Sequence, residues 1–207
     1  MTRLLIDKRE VAQLPQHLTS LEQVVKLVEA DHLSPDTIIR DIRIDGQPLA
    51  NANDEFSIPD RITDRETIEI FTSTVGEVAL DSIREATVYL ERVAKATPLL
   101  ASGFRSKCGR QDFENLKQFY EGFYWVNLLL DRLERTFDIH LETLTVNGVT
   151  AREHHLHLAT LLKGVIDAHE KRDFGLVADL LEFEIAPLIP ACKDLFAAVR
   201  QTVLERA

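Results

Sequence analysis

The spacing of apolar residues along the chain changes at about residues 72–76. Before this point apolar and polar residues tend to alternate, as in residues 67–71 (TIEIF), and Pro and Asp-Gly interrupt the segments. After it, apolar residues recur every three or four positions for most of the remaining length. Alternation is typical of strands and the longer spacing of helices, so the pattern predicts an α+β protein with a strand-rich unit at 1–74 and a helical unit at 75–207.

Five short strands and one helix are predicted in the first unit. Residues 2–7 and 11–15 form the first two strands, 37–44 the third and the stretch around Leu49 the fourth. A polar loop at 51–64 leads to the last strand, 66–72. The helix lies between the second and third strands, where Thr19 and Glu22 fit a capping box. Asp45-Gly46 predicts a hairpin turn because both residues tolerate a positive φ.

The pattern of residues 42–49 (IRIDGQPL), followed by Ile62 and by 66–70 (ETIEI), resembles the ubiquitin-like β-grasp family. The resemblance covers the first third of the chain, and members of that family act as modifiers, sulfur carriers or docking domains. Modifiers and carriers end in a free Gly-Gly, whereas this chain continues through Gly76 into a helix. The apolar recognition surface of ubiquitin would fall partly on Arg43 and Phe71, which makes Phe71 a candidate binding residue.

An antiparallel bundle of four to five helices is predicted in the second unit. The first helix starts at about Glu77, and Pro98 is expected to mark its last turn or a kink. A loop rich in helix breakers follows at 102–110, and the second helix, 111–137, has a broad apolar stripe. An Asn-Gly turn at 147–148 precedes a third helix at 151–171, and a fourth begins near Asp173. Two prolines, Pro187 and Pro190, are expected to bend or break the chain before a last helical stretch.

Charge and composition narrow the classes of partner. Basic and acidic residues number 8 and 14 in residues 1–74, and 16 and 20 in residues 75–207, so both units are acidic and the net charge is −10. Nucleic acids and anionic membranes bind through Lys and Arg, and we therefore expect neither as a partner. No apolar run is long enough for a signal or a membrane span, which favours a soluble, cytoplasmic protein.

The loop at 102–110 contains the candidate reactive and anion-binding residues. Arg105, Lys107 and Arg110 surround Cys108, and positive neighbours lower the pKa of a thiol. The same three cations, among glycines and before a helix, form a candidate anion-binding loop. The alternative is a flexible basic loop that happens to contain a cysteine. The second cysteine, Cys192, lies far away in the sequence, so both thiols are expected to be reduced.

A histidine cluster is the candidate metal site. Residues 153–157 (EHHLH) would place His154 and His157 on one face of a helix, and imidazole is a common ligand of transition metals. The cluster lacks the His-Glu-x-x-His pattern and falls in the first turns of the helix, where side chains are usually solvated. A surface cluster without metal is the alternative, and no cofactor is expected.

The aromatic segment 119–125 (FYEGFYW) is the candidate binding surface. Six aromatic residues between Phe113 and Trp125 cannot all lie on one helix face, so Tyr124 and Trp125 should project away from the core. Aromatic residues with a polar group are favoured at interfaces. Asn127 and Glu134, within the broad stripe, are candidates for paired polar groups in the core.

These patterns favour a protein-interaction or adaptor module without catalytic activity. Its partner would be a protein, with a homodimer as one form. One alternative is a chaperone-like bundle that binds a partner helix. Another is a metal- or thiol-dependent enzyme that uses the histidine cluster or Cys108. No phosphate loop, dinucleotide fingerprint or nucleophile elbow occurs in the sequence.

Overall fold

The protein is an α+β chain with two compact units, Met1–Val78 and Ala79–Ala207. The computed structural model describes residues 2–14, 18–49, 62, 67–106 and 108–206. The polar stretch 51–64, predicted as a loop, therefore lies outside the described residues except for Ile62. The boundary between the units falls within the first turn of a helix that begins at Val75.

The first unit is a five-stranded mixed sheet with one helix. Its elements in chain order are β1 Arg3–Ile6, β2 Arg9–Gln13, α1 Leu21–Asp31, β3 Thr37–Ile44, β4 Gln47–Pro48 and β5 Thr67–Thr74. The strands are ordered β2-β1-β5-β3-β4 across the sheet. The first and last strands, β1 and β5, run parallel, and the other neighbours are antiparallel.

One face of the sheet packs against α1. Strand residues alternate between the two faces, so Leu4 of β1 and Ile68 and Ile70 of β5 meet the apolar side of the helix. The core of this unit consists of Leu4, Leu14, Leu21, Val24, Val28, Ile62, Ile68 and Ile70. All eight are at most 4% exposed. Phe71 is on the opposite face from Ile70.

Two tight turns and a helix cap shape this unit. The predicted turn at Asp45-Gly46 is confirmed, with φ of 51° and 78°. Asp7 also has a positive φ, of 48°, and its carboxylate accepts hydrogen bonds from the Thr72 amide (2.9 Å) and hydroxyl (2.7 Å). The predicted cap at Thr19 and Glu22 was off by one residue. The capping box uses Ser20 and Gln23, because a helix that begins at Leu21 buries its apolar side.

The second unit is helical. Its elements are α2 Val75–Arg105, α3 Arg110–Thr136, the hairpin strands β6 Thr145–Val146 and β7 Val149–Thr150, α4 Ala151–Glu170, α5 Phe174–Asp179, a π-helical segment Leu180–Ile185 and α6 Ala186–Arg206. The predicted Asn-Gly turn joins β6 to β7, with φ of 54° and 82° at residues 147 and 148. Asp173 caps α5, because its side chain accepts a hydrogen bond from the Leu176 amide at 3.0 Å.

The helices are longer than predicted because three prolines do not end them. Pro98 lies inside α2, where it and Ala94 are both exposed, so water can satisfy the carbonyl that the proline cannot bond. Pro187 directly follows the π-helical segment, in which the hydrogen bonds span five residues, as from the Ala186 amide to the Leu181 carbonyl, and the helical run continues through it. Pro190 lies further inside α6 and is exposed. The predicted loop at 102–110 therefore shrinks to a short connection.

The connection between α2 and α3 depends on a small residue. Asp112 accepts a hydrogen bond from the Gly109 amide at 2.8 Å and thereby caps α3. The carboxylate occupies the space that a Cβ atom at Gly103 would need. Gly103 therefore lets the end of α2 approach the start of α3.

The core of the second unit runs along one side of α2 and α3. On α2 the buried residues recur at heptad spacing: Ile83, Ala86, Leu90, Val93, Thr97, Leu100 and Phe104. The matching residues of α3 are Leu116, Phe119, Phe123, Val126, Leu130 and Leu133. In the part of the chain that the structure describes, no helix has both the length and the apolar character needed to cross a membrane.

Candidate functional site

The aromatic segment of α3 divides between the core and the surface. Phe119 is 6% and Phe123 0% exposed, whereas Tyr124 is 66% and Trp125 37% exposed. A helix turns by about 100° per residue, so neighbours in the sequence must point in different directions. The structure thus places the aromatic rings of Tyr124 and Trp125 at the surface, as the segment predicted. Their binding role stays a prediction.

The side chain of Tyr89, on α2, packs against the backbone of α3 at Gly122. The Tyr89 hydroxyl donates a hydrogen bond to the Phe119 carbonyl at 3.0 Å. Its ring lies edge-on to Phe123 at 5.9 Å and to Trp125 at 6.5 Å between centroids. The ring fills the space where a Cβ atom of Gly122 would be. Burial raises the pKa of Tyr89 above its ordinary value, so the hydroxyl stays protonated and keeps donating.

Two adjoining hollows lie between α2 and α3, and together they are called the α2/α3 groove below. The larger hollow has a volume of about 620 Å³. It is lined by Tyr89, Arg92, Val93, Ala96, Leu99, Leu100, Asp112, Asn115, Gln118 and Phe119. The smaller has a volume of about 360 Å³. It is lined by Arg84, Glu85, Val88, Tyr89, Arg92 and Trp125. Tyr89 and Arg92 line both hollows, so the two hollows adjoin at the tyrosine.

Exposed apolar side chains border the groove. Leu99 is 76% exposed at the larger hollow, and Val88 is 48% exposed at the smaller. Trp125 of α3 is 37% exposed at the smaller hollow. Single exposed apolar residues are common on protein surfaces, but several around one concave surface are typical of an interaction site.

Two charges in the groove have no ion pair among the described residues. Arg84 pairs with Asp81 at 3.0 Å, and Asp112 is used in the cap of α3. The Glu85 carboxylate and the Arg92 guanidinium make no such pair with any residue that the structure describes, and both residues are exposed. They are therefore available to a binding partner.

Sequence reasoning missed Tyr89, Gly122 and Arg92. Tyr89 lies beside the apolar stripe of α2, so periodicity alone does not distinguish it from a surface residue. Gly122 was the available signal, because a glycine inside a long helix often marks a close approach of another group. Arg92 has no signal in the sequence, since its position depends on how α2 packs against α3.

The predicted binding residue Phe71 belongs to the first unit and not to the groove. It lies on β5, is half-buried, and has the Arg43 guanidinium 4.9 Å above its ring centre. Arg43 also pairs with Asp41 at 3.2 Å. A cation thus covers the ring, and this surface differs from an open apolar patch.

The predicted anion-binding loop is divided between two helices. Arg105 ends α2 and pairs with Asp179 at 2.7 Å and with Glu182, while its guanidinium lies 5.1 Å from the Phe183 ring centre. Arg110 begins α3, and Lys107 lies outside the described residues. The charge of Arg105 is already neutralised by two carboxylates, so the candidate anion site loses one of its cations.

Cys108 does not have the lowered pKa that its basic neighbours predicted. Partial burial raises the pKa of the thiol, and the nearby negative charge of Asp112 raises it further. Arg105, one of the basic neighbours, is directed to the carboxylates of Asp179 and Glu182. The alternative of a basic loop that happens to contain a cysteine fits this arrangement better. Cys108 borders a hollow of about 610 Å³ together with Phe113, His169, Glu170, Arg172 and Phe174.

We expect Cys108 to react with a thiol reagent at least about tenfold faster than Cys192 in the native protein. Cys108 is half-exposed, whereas Cys192 is buried in α6 and its pKa is raised by that burial to about 11. Labelling at about pH 8, with Cys192→Ala to assign the two phases, measures the ratio. Equal rates, or a native disulfide between the two cysteines, would contradict this expectation.

Cys192 should also make stability fall at high pH. Its folded-state pKa of about 11 lies above the ordinary 9.0, so the folded protein holds the proton more tightly than the unfolded chain. The contribution is fully present below pH 9.0 and is lost as the pH rises through about 11. Denaturant unfolding across this range should show a steeper decline for the wild type than for Cys192→Ala.

The histidine cluster lies at the start of α4. The His154 Nε2 atom is 3.2 Å from the Val146 carbonyl oxygen, and the His157 residue is exposed. No group of three or more His, Cys, Asp or Glu side chains with a geometry suited to a metal ion occurs among the described residues. His154 therefore has a structural partner in the hairpin before α4.

The polar candidates of the α3 stripe have different surroundings. Glu134 is half-buried and accepts a hydrogen bond from Arg152 at 2.5 Å, and Arg152 also contacts Glu142 at 3.2 Å. The carboxylate of Glu134 is thus paired between α3 and α4. Asn127 is half-buried.

The second unit contains a recognised family domain. Residues 81–195 match the family described as a domain of unknown function, DUF8042. No curated protein and no solved structure matches the chain. The match covers more than half of the chain and includes all of α3 and most of α2, the two helices that form the groove. The chain therefore belongs to the DUF8042 family.

Proposed function

We propose that the protein is a protein-interaction or adaptor module whose binding site is the α2/α3 groove. The observation that carries this proposal is a pair of adjoining hollows bordered by exposed Leu99, Val88 and Trp125. Pockets that bind apolar anchors of partner proteins combine such residues with a few polar groups. Glu85 and Arg92, which have no ion pair within the part of the chain that the structure describes, supply those polar groups here.

The shape of the groove supports one particular kind of partner segment. A groove between two antiparallel helices can take the apolar side of a third helix, with anchors about one turn apart. This is the binding mode of the chaperone-like alternative. The two adjoining hollows, both lined by Tyr89, could each take one apolar anchor of such a helix. The enzyme alternative has less support, because the pKa of Cys108 is raised and His154 contacts a backbone carbonyl.

We infer a ubiquitin-like β-grasp fold for the first unit. The order β2-β1-β5-β3-β4, the parallel pairing of the first and last strands and the single helix on one face support this inference. A docking role fits this unit better than a modifier role, because β5 continues directly into α2. The net charge of −10 supports a protein partner over nucleic acid or an anionic membrane.

Leu99→Glu should abolish or strongly reduce capture of partner proteins by the full-length chain. Leu99 is 76% exposed, so the substitution should leave the fold intact while placing a charge in the larger hollow. Leu156→Glu is the matched control, since Leu156 is 56% exposed and lies on α4. Quantitative mass spectrometry after capture from the native lysate compares both variants with the wild type.

Two results would argue against the proposed site. The first is equal capture by wild type, Leu99→Glu and Leu156→Glu. The second is equal loss in both variants, which would assign the effect to added negative charge and not to the groove. Circular dichroism of each variant confirms that the helices are retained.

A further inference from the structure

The exposed side of α2 has an ordered pattern of charges. Positions 81, 85, 88, 92, 95 and 99 follow heptad spacing and hold Asp, Glu, Val, Arg, Lys and Leu. The buried stripe of the same helix passes through Ile83 and Leu90, two residues away, which is about 200° around the helix. The charged stripe therefore lies away from the buried side of α2, along the edge of the helix that borders the α2/α3 groove.

The stripe is antisymmetric in charge about Val88. Acidic residues lie seven and three positions before Val88, at Asp81 and Glu85, and basic residues lie four and seven positions after it, at Arg92 and Lys95. Val88 itself is 48% exposed, and Trp125 of α3 borders the same hollow.

Two further exposed charges beside the stripe, Arg84 and Glu91, have the opposite order of sign, but each has an ion pair within the chain, with Asp81 at 3.0 Å and with Lys193 at 2.9 Å. Of the charges without such a pair among the described residues, the acidic Glu85 precedes Val88 and the basic Arg92 follows it.

A second copy of the same helix complements this pattern in one orientation. If two α2 helices cross antiparallel at Val88, the acidic half of each faces the basic half of the other. A parallel arrangement would instead place Glu85 against Glu85 and Arg92 against Arg92, which is repulsive. In a two-fold interface every contact occurs twice, so each favourable or unfavourable charge pair counts double.

We propose that the protein forms a two-fold homodimer through α2, with Val88 at the centre and Glu85 of each protomer paired with Arg92 of the other. Trp125 and Tyr89 contribute the aromatic border of the contact. This inference rests on the proposed interaction function and names the occupant of the smaller hollow. Asp81 already pairs with Arg84 of its own chain. The contact between Glu85 and Arg92 is therefore the one that favours the antiparallel orientation of the two α2 helices.

Charge reversal in the full-length protein tests this proposal. Glu85→Arg and Arg92→Glu should each weaken self-association by at least about tenfold, because each creates two like-charge contacts. The double variant Glu85→Arg/Arg92→Glu should recover self-association. An equimolar mixture of the two single variants should form a heterodimer. In it the new Arg at position 85 of one protomer faces the new Glu at position 92 of the other, and the unchanged Arg92 faces the unchanged Glu85. Sedimentation velocity over a concentration series measures each dissociation constant.

A control variant separates the specific pair from net charge. Glu170→Arg changes the net charge by the same amount as Glu85→Arg, and Glu170 is an exposed residue at the end of α4. It should leave the dissociation constant unchanged or lower it slightly, since the chain carries a net charge of −10. Increasing salt should weaken the wild-type dimer because it screens exposed charge pairs.

Three outcomes would overturn the dimer: a wild type that stays monomeric up to about 100 µM, a dimer unaffected by both reversals, or single variants that do not recover on mixing. The proposed interaction function is tested separately. A monomeric wild type whose captured proteins are still lost in Leu99→Glu would overturn the dimer and leave that function standing. If the dimer shows the expected charge dependence but Leu99→Glu has no effect on capture, the dimer stands. The proposed binding of partner proteins in the larger hollow is then overturned.

Discussion

Replacing Phe123 with alanine is expected to lower the free energy of unfolding of the helical unit by about 3 to 5 kcal/mol. The Phe123 ring is 0% exposed and lies between Phe119, at 4.8 Å, and Tyr89, at 5.9 Å between centroids. Its removal leaves a cavity that the neighbouring rings, fixed on two different helices, can fill only in part. Denaturant unfolding monitored by circular dichroism measures the loss.

Tyr124→Ala is the matched control for this experiment. Tyr124 is the next residue along the same helix and is 66% exposed, so its loss should change stability by no more than about 0.5 kcal/mol. A large loss for Tyr124→Ala, or a small one for Phe123→Ala, would mean that α3 is rotated from the orientation described. The α2/α3 groove would then have a different lining.

Gly122→Ala is expected to destabilise the protein by about 1 to 3 kcal/mol, although alanine is the better helix former. The added methyl group would overlap the Tyr89 ring. To avoid it, the ring must leave its edge-on contact with Phe123 and its hydrogen bond to the Phe119 carbonyl. The cost of displacing the ring should exceed the gain of about 0.5 to 1 kcal/mol from helix propensity.

The sign of the Gly122→Ala effect should reverse when the tyrosine ring is absent. In a Tyr89→Ala background nothing occupies the space, so Gly122→Ala should stabilise by about 0.5 to 1 kcal/mol. In a Tyr89→Phe background the ring remains and the substitution should still destabilise. This pair of backgrounds separates the ring from its hydroxyl. A stabilising effect of Gly122→Ala in the wild type would contradict the close packing of Tyr89 on α3.

The Phe123→Ala and Gly122→Ala experiments also test the lining of the α2/α3 groove. Tyr89 borders both hollows, so its ring position affects the lining of each. If Gly122→Ala displaces the ring toward solvent, the smaller hollow beside Trp125 should narrow. Self-association and partner capture by this variant can then be compared with those of the wild type.

Much of the local structure was predictable from sequence because it depends on short-range chemistry. The change of apolar spacing near residue 75 separates strands from helices, and the Asp45-Gly46 and Asn147-Gly148 turns follow from two residues that accept positive φ. The exposure of Tyr124 and Trp125 follows from helix geometry alone, since the core side of α3 was set by its other apolar residues.

The errors arose where a local signal competed with packing. Pro98 suggested the end of a helix, but it lies on an exposed side of α2 and the buried side continues to Phe104. The basic neighbours of Cys108 suggested a lowered pKa, but Arg105 pairs with Asp179 and Glu182. Those acidic residues are more than 70 positions away in the sequence, so no local pattern could have identified them.

The sequence by itself determined the division into a strand-rich and a helical part, most of the turns and the side of each helix that is buried. It did so because backbone preference and apolar periodicity act over a few residues. Only the tertiary structure decided which helices share the groove, that Tyr89 crosses α3 at Gly122, and that Arg92 is left without an ion pair among the described residues. These features depend on the contact between α2 and α3, which brings together groups about 30 residues apart.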